Sequence, residues 1–302
     1  MPEASMGDDV TVIEDAPAKI NLALHVTGQR SDGYHRLDML VTFTKHGDRL
    51  GFALADKDEF VISGRFAEAL DDSRDDNLVL KARDFMREAI AREGGSAPAV
   101  RIHLQKNLPI ASGIGGGSAD AAATLRGLMR LWNVSLLNAT IEAIAIRLGA
   151  DVPMCLASRP LIARGIGEQI VPVDDMPAFA MVLANPLKGV STPEVFRRLT
   201  NKANPPLDMT PRFNWVEAIR ATRNDLEPVA RDLLPEIAEI STMLKKQGAS
   251  FVRMSGSGAT CYGIFHTLAA AEDAAAALHR ERPDWYFEAT ETTAGGHDAG
   301  FG

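Results

Sequence analysis

The chain has 302 residues, a length that suits two domains or one large one and needs no disulfides to fold. Hydrophobic residues make up 46% and charged residues 24%, an ordinary globular composition that excludes a disordered or fibrous protein. The net charge of −8 argues against a general nucleic-acid binder and against a protein that binds anionic membranes, but it leaves room for a local anion site. The two cysteines, Cys155 and Cys261, cannot form a disulfide framework.

The first nine residues, MPEASMGDD, are acidic and have no apolar core, so they are predicted to be neither a signal peptide nor a transit peptide. The longest apolar stretch, around 178–187, is broken by Asn185 and Pro186 and is too short to span a bilayer. We therefore expect a cytoplasmic protein with no nucleic-acid or membrane partner. The sequence leaves the oligomeric state open.

The first half of the chain is predicted to contain both strands and helices. Apolar and polar residues alternate from Lys19 to Val26, which predicts a strand with one buried face and places Lys19 and Asn21 together on the other face. Apolar residues at helical spacing predict a helix over 77–92, which two glycines end. The same patterns predict strands over 37–44 and 99–105 and helices over 118–132 and 138–148.

The second half is predicted to form a split βαβ unit. Strands and turns are expected over 161–185, helices over 217–220 and 227–247, strands over 250–254 and 260–265, a helix over 267–282 and a strand over 285–293. We place the domain change near 160–168. The predicted domains are 10–163 and 164–294, with flexible ends at 1–9 and 295–302.

A glycine-rich loop leads directly into the predicted helix over 118–132. We name it the first glycine loop, and its residues are Pro109, Ile110, Ala111, Ser112, Gly113, Ile114, Gly115, Gly116, Gly117, Ser118 and Ala119. Glycines let a ligand approach the backbone, and the N–H groups at the start of a helix favour an anion, so the loop is predicted to hold phosphate. The alternative is a flexible entry to the helix.

Two known phosphate motifs do not match this loop. It lacks the Gly-Lys-Ser/Thr ending of a Walker A motif, and Ser118 stands at the third glycine position of a dinucleotide fingerprint. That mismatch argues against a nicotinamide-dependent oxidoreductase. Asp120, directly after the loop, is predicted either to complement the helix dipole in the first turn or to contact Mg²⁺.

Lys19 and Asp151 have the chemistry that phosphoryl transfer to a hydroxyl needs. A carboxylate can accept or orient the proton of the acceptor hydroxyl, and a cation beside it keeps it ionised. From the residues alone the pairing is weak, because they lie 132 positions apart. Lys19 can also be interpreted as a solvated lysine at the start of a strand, and Asp151 can be interpreted as a helix N-cap before Pro153.

Several segments resemble the GHMP kinases. The segment LPIASGIGGGSADAA resembles the ATP-binding motif of this family, and MSGSGAT, over 254–260, resembles its third motif. Three further segments, PAKINL, GQRSDGYH and GADVP, closely resemble the branch that phosphorylates 4-(cytidine 5′-diphospho)-2-C-methyl-D-erythritol in the non-mevalonate isoprenoid pathway. The similarity extends from about residue 16 to about residue 291.

The resemblance implies an α+β, two-domain GHMP kinase fold. Its N-terminal domain would be like domain 2 of ribosomal protein S5, its C-terminal domain would be ferredoxin-like, and the site would lie in the cleft between them. ATP with Mg²⁺ would donate the γ-phosphoryl group to the 2-hydroxyl of the methylerythritol unit. Asp151 would accept the proton, Lys19 would be its partner, and Ser118 or Asp120 would contact Mg²⁺.

The resemblance also assigns residues to the acceptor. Tyr34 and His35 would read the cytosine, Phe196 would stack on it, Thr192 would contact the polyol and Asn21 would hydrogen-bond the methylerythritol end. From the residues alone, Tyr34 and His35 also read as a half-buried surface pair and Phe196 as a core aromatic. The second glycine loop, 255–258 with Gly256 and Gly258, is expected to support the site, or else to be a hairpin turn.

One departure and two rival functions accompany this interpretation. The family usually has a second serine after Ser118, where this chain has Ala119, so one hydroxyl is missing from the loop. The first rival is a GHMP kinase acting on homoserine or a mevalonate derivative, against which Tyr34 and His35 argue because those enzymes read no cytosine. The second is a non-catalytic nucleotide-binding protein, against which the retention of Lys19 and Asp151 argues.

Overall fold

The computed structural model describes residues 10–70, 76–209 and 214–296. These residues form two compact units, neither of which is continuous in the sequence. The described residues of the first unit fall within Met1–Ala18, Gly47–Ile110 and Gly115–Ala157, and those of the second within Lys19–His46, Ala111–Ile114 and Ser158–Gly302. The predicted domain limits at 163 and 164 stay a prediction. The predicted flexible ends at 1–9 and 297–302 lie outside the described residues.

Long strands open the chain and shorter elements follow. The elements up to residue 157 are β1 (Val12–Gln29), β2 (His35–Leu54), β3 (Glu59–Ser63), α1 (Leu78–Arg92), β4 (Val100–Gln105), α2 (Gly116–Trp132), α3 (Asn138–Leu148) and α4 (Val152–Ala157). The elements after it are β5 (Leu161–Gly165), β6 (Gln169–Pro172), β7 (Ala180–Asn185), α5 (Thr192–Arg198), α6 (Trp215–Arg220), α7 (Glu227–Leu233), α8 (Glu236–Lys246), β8 (Phe251–Met254), β9 (Cys261–Phe265), α9 (Leu268–Glu281) and β10 (Tyr286–Glu291).

The first unit packs helices against strands. The second half of β2 pairs antiparallel with β4, from Arg49 opposite Gln105 to Leu54 opposite Val100, and β3 runs parallel to β4. Alternate residues of β4 are buried, as the period of two predicts. Helix α1 begins at Asn77, whose side chain accepts a hydrogen bond from the N–H of Val79, and it packs on α2.

The second unit contains a four-stranded antiparallel sheet in the order β10, β7, β9, β8. Helices α5 to α8 lie between β7 and β8 in the chain, α9 lies between β9 and β10, and α8 and α9 pack on the sheet. This arrangement is the ferredoxin-like split βαβ topology, so that prediction is confirmed. The first half of β2 belongs to the same unit and pairs with β5, which in turn pairs with β6.

The structure corrects several predicted boundaries. Helix α2 begins at Gly116, two residues before its predicted start, so part of the first glycine loop is already helical. The predicted helix over 227–247 is two helices, because Leu234 takes an extended conformation and Pro235 follows it. Elements β3, α4 and α5 were not predicted. Gly295, which was placed in a flexible end, donates its N–H to the carbonyl of Met176 at 2.7 Å.

Strand β1 departs most from its prediction. It extends well beyond the alternating segment, and its residues from Ala18 to Val26 are buried on both faces. The face of β1 that carries Lys19 and Asn21 is therefore not exposed to solvent. Among the described residues, no helix is both long enough and apolar enough to cross a bilayer.

Close packing of α2 on β2 depends on a missing side chain at Gly127. A Cβ added there would lie 2.2 Å from Cε2 of Phe52, a ring that is completely buried. We expect Gly127→Ala to lower the free energy of unfolding by about 1–3 kcal/mol, because the ring must move within a packed core. Urea denaturation measures this. Gly189→Ala is the control, since a Cβ there meets open space, and equal stability of the two variants would contradict the prediction.

Candidate active site

The first and second glycine loops touch each other through their backbones. The N–H of Thr260, just after the second loop, donates to the carbonyl of Ser112 at 3.0 Å. Gly113 has φ +76°, and a Cβ there would lie 2.6 Å from the carbonyl oxygen of Gly258. A Cβ on Gly256 would lie equally close, 2.6 Å, to the carbonyl oxygen of Gly113. The glycines of both loops are therefore required by contact as well as by conformation.

The hydroxyl of Ser255 connects strand β1 to the first glycine loop. It accepts a hydrogen bond from the backbone N–H of Asn21 at 3.0 Å and donates one to the carbonyl of Gly113 at 3.1 Å. The N–H of Lys19 donates to the carbonyl of Ile114 at 2.8 Å. The middle of β1, at Lys19 and Asn21, is thus held against residues 111–114. Ser255 was not singled out from the sequence, where it is one serine in a glycine-rich turn.

The remainder of the first glycine loop begins helix α2. Gly115 is the N-cap with φ +65°, and Gly116, Gly117 and Ser118 form the first turn. The N–H groups of a first helical turn have no partner within the helix, and they form the positive end of its dipole. Gly117 is exposed and Ser118 half-buried, so an anion can reach them. These features fit a phosphate group.

The start of α2 also lies over a buried cluster of charges. Lys106 Nζ contacts Asp48 Oδ2 at 2.5 Å and Asp120 Oδ2 at 2.6 Å, and a Cβ on Gly116 would lie 3.2 Å from the same ammonium. Asp48 Oδ1 also accepts the N–H groups of Asn107 and Leu108. We name Asp48, Lys106 and Asp120 the charge cluster, and all three are at most 3% exposed.

The charge cluster shifts the pKa values of Asp120 and Lys106. Burial raises the pKa of Asp120 well above its usual range, and the nearby Asp48 raises it further against the attraction of Lys106. Burial alone would lower the pKa of Lys106, but the two carboxylates raise it to about 12. A signal for Lys106 was present in the sequence, since it continues the buried alternation of Val100, Ile102 and Leu104.

Asp120 is not the predicted first-turn acid of α2, and its contact with Mg²⁺ stays a prediction. It lies in the second turn of α2 rather than the first, and one of its oxygens is bound to an ammonium. A carboxylate held by Lys106 is a poor ligand for Mg²⁺, so Ser118 is the better candidate of the two. Asp120 Oδ1 is buried and has no hydrogen-bond partner among the described residues.

The two catalytic candidates, Lys19 and Asp151, belong to different units. Lys19 is only 4% exposed, so its interpretation as a solvated lysine is wrong. Asp151 directly precedes α4 and is half-buried, and its carbonyl accepts the N–H of Cys155 at 3.1 Å. Asp151 therefore stands where an N-cap would. The pairing of Lys19 with Asp151 stays a prediction.

Two residues predicted to contact the base meet in the second unit. The rings of His35 and Phe196, 161 positions apart in the sequence, stack at a centroid distance of 4.7 Å and an angle of 23°. Phe196 is half-buried, so it is not a core aromatic. Tyr34 is 61% exposed, which leaves its ring accessible. The alternative interpretation, in which Tyr34 belongs to a half-buried surface pair, is therefore wrong for Tyr34.

Two buried polar atoms of the residues predicted to bind the acceptor lack partners among the described residues. Nε2 of His35 and Oδ1 of Asn21 are buried with no hydrogen bond to any described residue. Burial, together with the nearby ammonium of Lys202, lowers the pKa of His35, so its imidazole is neutral at pH 7. Buried polar atoms without partners are costly, which makes them candidate ligand contacts.

The second glycine loop is fixed by two polar side chains. Asn224 donates its amide to the carbonyls of Met254 and Gly256 at 2.9 and 2.8 Å, and its Oδ1 accepts the N–H of Leu226 at 3.0 Å. Thr192 Oγ1, at the start of α5, lies 2.7 Å from Ser257 Oγ. The residue predicted to contact the polyol is therefore hydrogen-bonded to the second glycine loop.

Known proteins resemble this chain over its full length. Residues 77–159 match the family described as GHMP kinases N terminal domain, and residues 211–284 match GHMP kinases C terminal. A Rhizobium etli protein named 4-diphosphocytidyl-2-C-methyl-D-erythritol kinase is 66% identical over 98% of this chain and 100% of its own length. The Agrobacterium fabrum protein of the same name is 58% identical over 93% of this chain and 96% of its own length.

Solved structures of kinases also match this chain over most of its length. The crystal structure of a 4-(cytidine 5′-diphospho)-2C-methyl-D-erythritol kinase matches with a TM-score of 0.79 and 32% identity, covering 94% of this chain and 100% of that one. A homoserine kinase from Cytophaga hutchinsonii matches with a TM-score of 0.63, covering 97% of each chain. Its identity of 17% shows the shared fold alone.

The charge cluster predicts how stability depends on pH. A carboxyl whose pKa is raised by folding stabilises the folded state fully below its unfolded pKa of about 4, and this contribution is lost as pH rises towards its folded pKa. Asn cannot ionise and avoids that loss. The free energy of unfolding of Asp120→Asn, relative to the parent chain, should therefore increase between pH 4.5 and 8.

Urea denaturation across this pH range tests the prediction. Asp273→Asn, an exposed change on α9, is the matched control and should show no such trend. A relative stability of Asp120→Asn that falls as pH rises would mean that ionised Asp120 stabilises the fold, contrary to the assignment.

Proposed function

Because the chain belongs to the 4-diphosphocytidyl-2-C-methyl-D-erythritol kinase family of GHMP kinases, we propose that it transfers the γ-phosphoryl group of ATP to the 2-hydroxyl of 4-(cytidine 5′-diphospho)-2-C-methyl-D-erythritol. It is a small-molecule kinase with an alcohol acceptor, acting in the non-mevalonate route to isoprenoid precursors. The observation that carries this function is the 66% identity to the Rhizobium etli kinase over nearly the whole chain.

The first glycine loop would hold the phosphates of ATP. Gly115 sets the start of α2, so the N–H groups of Gly116, Gly117 and Ser118 are available to anionic oxygens. Ser118 would also supply the one hydroxyl that remains, since Ala119 replaces the usual second serine. Its hydroxyl is the candidate protein contact of Mg²⁺, which when bound would neutralise charge on the phosphates.

Asp151 and Lys19 would act on the acceptor hydroxyl. Asp151 would accept or orient its proton, and the ammonium of Lys19 would favour the ionised carboxylate and offset charge that develops during transfer. The transition state of phosphoryl transfer is loose, so orientation of the hydroxyl accounts for more of this role than deprotonation. The burial of Lys19 supports it, because a buried ammonium is strongly attracted to a nearby anion.

Residues of the second unit would bind the acceptor. The cytosine would pack against Tyr34 and Phe196, and Nε2 of His35 would meet a polar atom at the edge of the base. Oδ1 of Asn21 would accept a hydrogen bond from a hydroxyl of the methylerythritol end, and Thr192 would contact the polyol. Gly256 and Gly258 support these contacts and do no chemistry. A cytoplasmic location stays a prediction.

The function is tested by the release of ADP in a coupled assay with ATP and Mg²⁺. The acceptors are the cytidine compound, homoserine, mevalonate, phosphomevalonate and none. Turnover is expected with the cytidine compound alone. Turnover with another acceptor would support kinase activity but would contradict the assignment of a cytosine site. Binding of ATP without any turnover would favour a non-catalytic nucleotide-binding protein.

We expect Asp151→Asn to lower kcat by about 10²–10⁴-fold while the affinity for ATP stays within about twofold, because a neutral amide orients the acceptor hydroxyl less strongly than a carboxylate does and cannot accept its proton. Steady-state kinetics and ATP titration measure the two quantities. Asp232→Asn, an exposed change on α7, is the control and should retain full activity. A kcat near that of the parent chain would remove Asp151 from the mechanism.

We expect Phe196→Ala to raise KM for the cytidine acceptor by about 10–100-fold with little change in KM for ATP, because loss of a base-stacking ring costs about 1–3 kcal/mol. Phe196→Tyr keeps the ring and should remain close to the parent chain. Equal KM values for the acceptor in Phe196→Ala and Phe196→Tyr would show that the ring only packs against His35.

A further inference from the structure

A separate cavity lies in the second unit between the β1–β2 turn and the β5–β6 hairpin. It has a volume of about 530 Å³, within the range of about 300–1,000 Å³ that is usual for small-molecule sites. Its charged lining residues are Arg30, Arg36, Asp38, Arg164 and Glu168. Three guanidinium groups therefore face one cavity in a chain whose net charge is −8.

Strand register places two of these arginines on the same side of the sheet. Asp38 of β2 lies opposite Arg164 of β5, so their side chains point to the same face. Arg36 precedes Asp38 by two residues on the same strand and shares that face. Arg36 and Arg164 thus come from neighbouring strands and lie on the same face of the sheet, and both line the cavity.

The two acids in the lining are already engaged by the protein. Asp38 Oδ1 accepts Arg164 Nε at 3.2 Å, and its Oδ2 accepts the N–H of Leu207 at 3.0 Å. Glu168 Oε2 accepts the N–H of Ile166 at 2.6 Å within its own turn. These bonds occupy both oxygens of the one carboxylate and one oxygen of the other.

The arginines retain donors that a ligand can use. Arg164 uses only Nε towards Asp38, which leaves its two terminal nitrogens. The guanidinium of Arg36 has no hydrogen-bond or ion-pair partner within residues 10–70, 76–209 and 214–296. Arg30 pairs with Asp32 at 2.8 Å, where both side chains are half-exposed. Arg36 and Arg164 therefore supply most of the N–H donors that remain available to a ligand.

We propose that this cavity is a second ligand site, which binds a small anion of the diphosphate class. Guanidinium groups bind phosphate oxygens through paired N–H donors, and two such groups on adjacent strands suit two linked phosphates better than one. The site is distinct from the proposed acceptor site, because Tyr34, His35 and Phe196 do not line the cavity. It shares with that site the turn that carries Arg30 and Arg36 on either side of Tyr34.

The test is isothermal titration of the intact chain with inorganic pyrophosphate in the absence of magnesium. Arg36→Gln and Arg164→Gln should each weaken binding about tenfold, and orthophosphate should bind more weakly than pyrophosphate. Arg92→Gln removes one exposed arginine of α1 and should leave the affinity unchanged. Arg36→Gln is the cleaner variant, because it breaks no described ion pair, and its thermal melting is expected to match that of the parent chain.

The other outcomes would overturn the proposal. Equal affinity of pyrophosphate for all four chains would place the anion elsewhere, for example at the first glycine loop. Absence of binding to the parent chain would reject the site. Equal affinity for orthophosphate and pyrophosphate would reject the diphosphate class. None of these measurements uses turnover, so they stand apart from the test of the kinase activity.

Discussion

The buried hydroxyl of Ser255 is the contact on which the rest of the candidate site depends. It joins the N–H of Asn21 to the carbonyl of Gly113, and so connects β1, the first glycine loop and the second glycine loop through one oxygen atom. These segments can approach so closely only because Gly113 and Gly256 lack a Cβ. The arrangement explains why two glycine-rich motifs that lie far apart in the sequence belong to one site. Neither motif could keep its conformation with an ordinary side chain in place.

The polar groups of the protein divide into satisfied and unsatisfied sets. In the charge cluster, Lys106 is bonded to both of its carboxylates, and Asp48 uses both oxygens, which is typical of a structural network. Nε2 of His35 and Oδ1 of Asn21 are buried in the second unit without partners. Each such atom reduces stability unless a ligand supplies the missing hydrogen bond. Two residues that the resemblance assigns to the acceptor therefore lower stability in this way, as Asp120 Oδ1 does in the charge cluster.

Much of the fold was predictable because its signals are local. The alternation in β4, the cap at Asn77 and the helical spacing of α9 are properties of adjacent residues, and the structure has all three. The burial of Lys19 was not predictable, because the second covered face of β1 depends on segments distant in the sequence. The charge cluster brings together residues from three segments that are distant in the sequence. Its only signal in the sequence was the position of Lys106, which continues the alternation of buried residues in β4. Phe196 could be assigned to the base by resemblance, but its stacking on His35 is a tertiary contact without a local signal.

Within the second unit, the residues predicted to bind the acceptor are connected to residues 111–114 of the first glycine loop. Thr192 binds Ser257, Asn224 holds the carbonyl of Gly256, and the second glycine loop rests on Gly113. A displacement of α5 would therefore reach residues 111–114 through two short contacts, the one between Thr192 and Ser257 and the one between the second glycine loop and Gly113. Since hydrogen bonds and backbone packing do not stretch far before they break, residues 111–114 and the helix that carries Phe196 are constrained to move together. A substitution in the second glycine loop should consequently disturb both α5 and residues 111–114, because the loop contacts both.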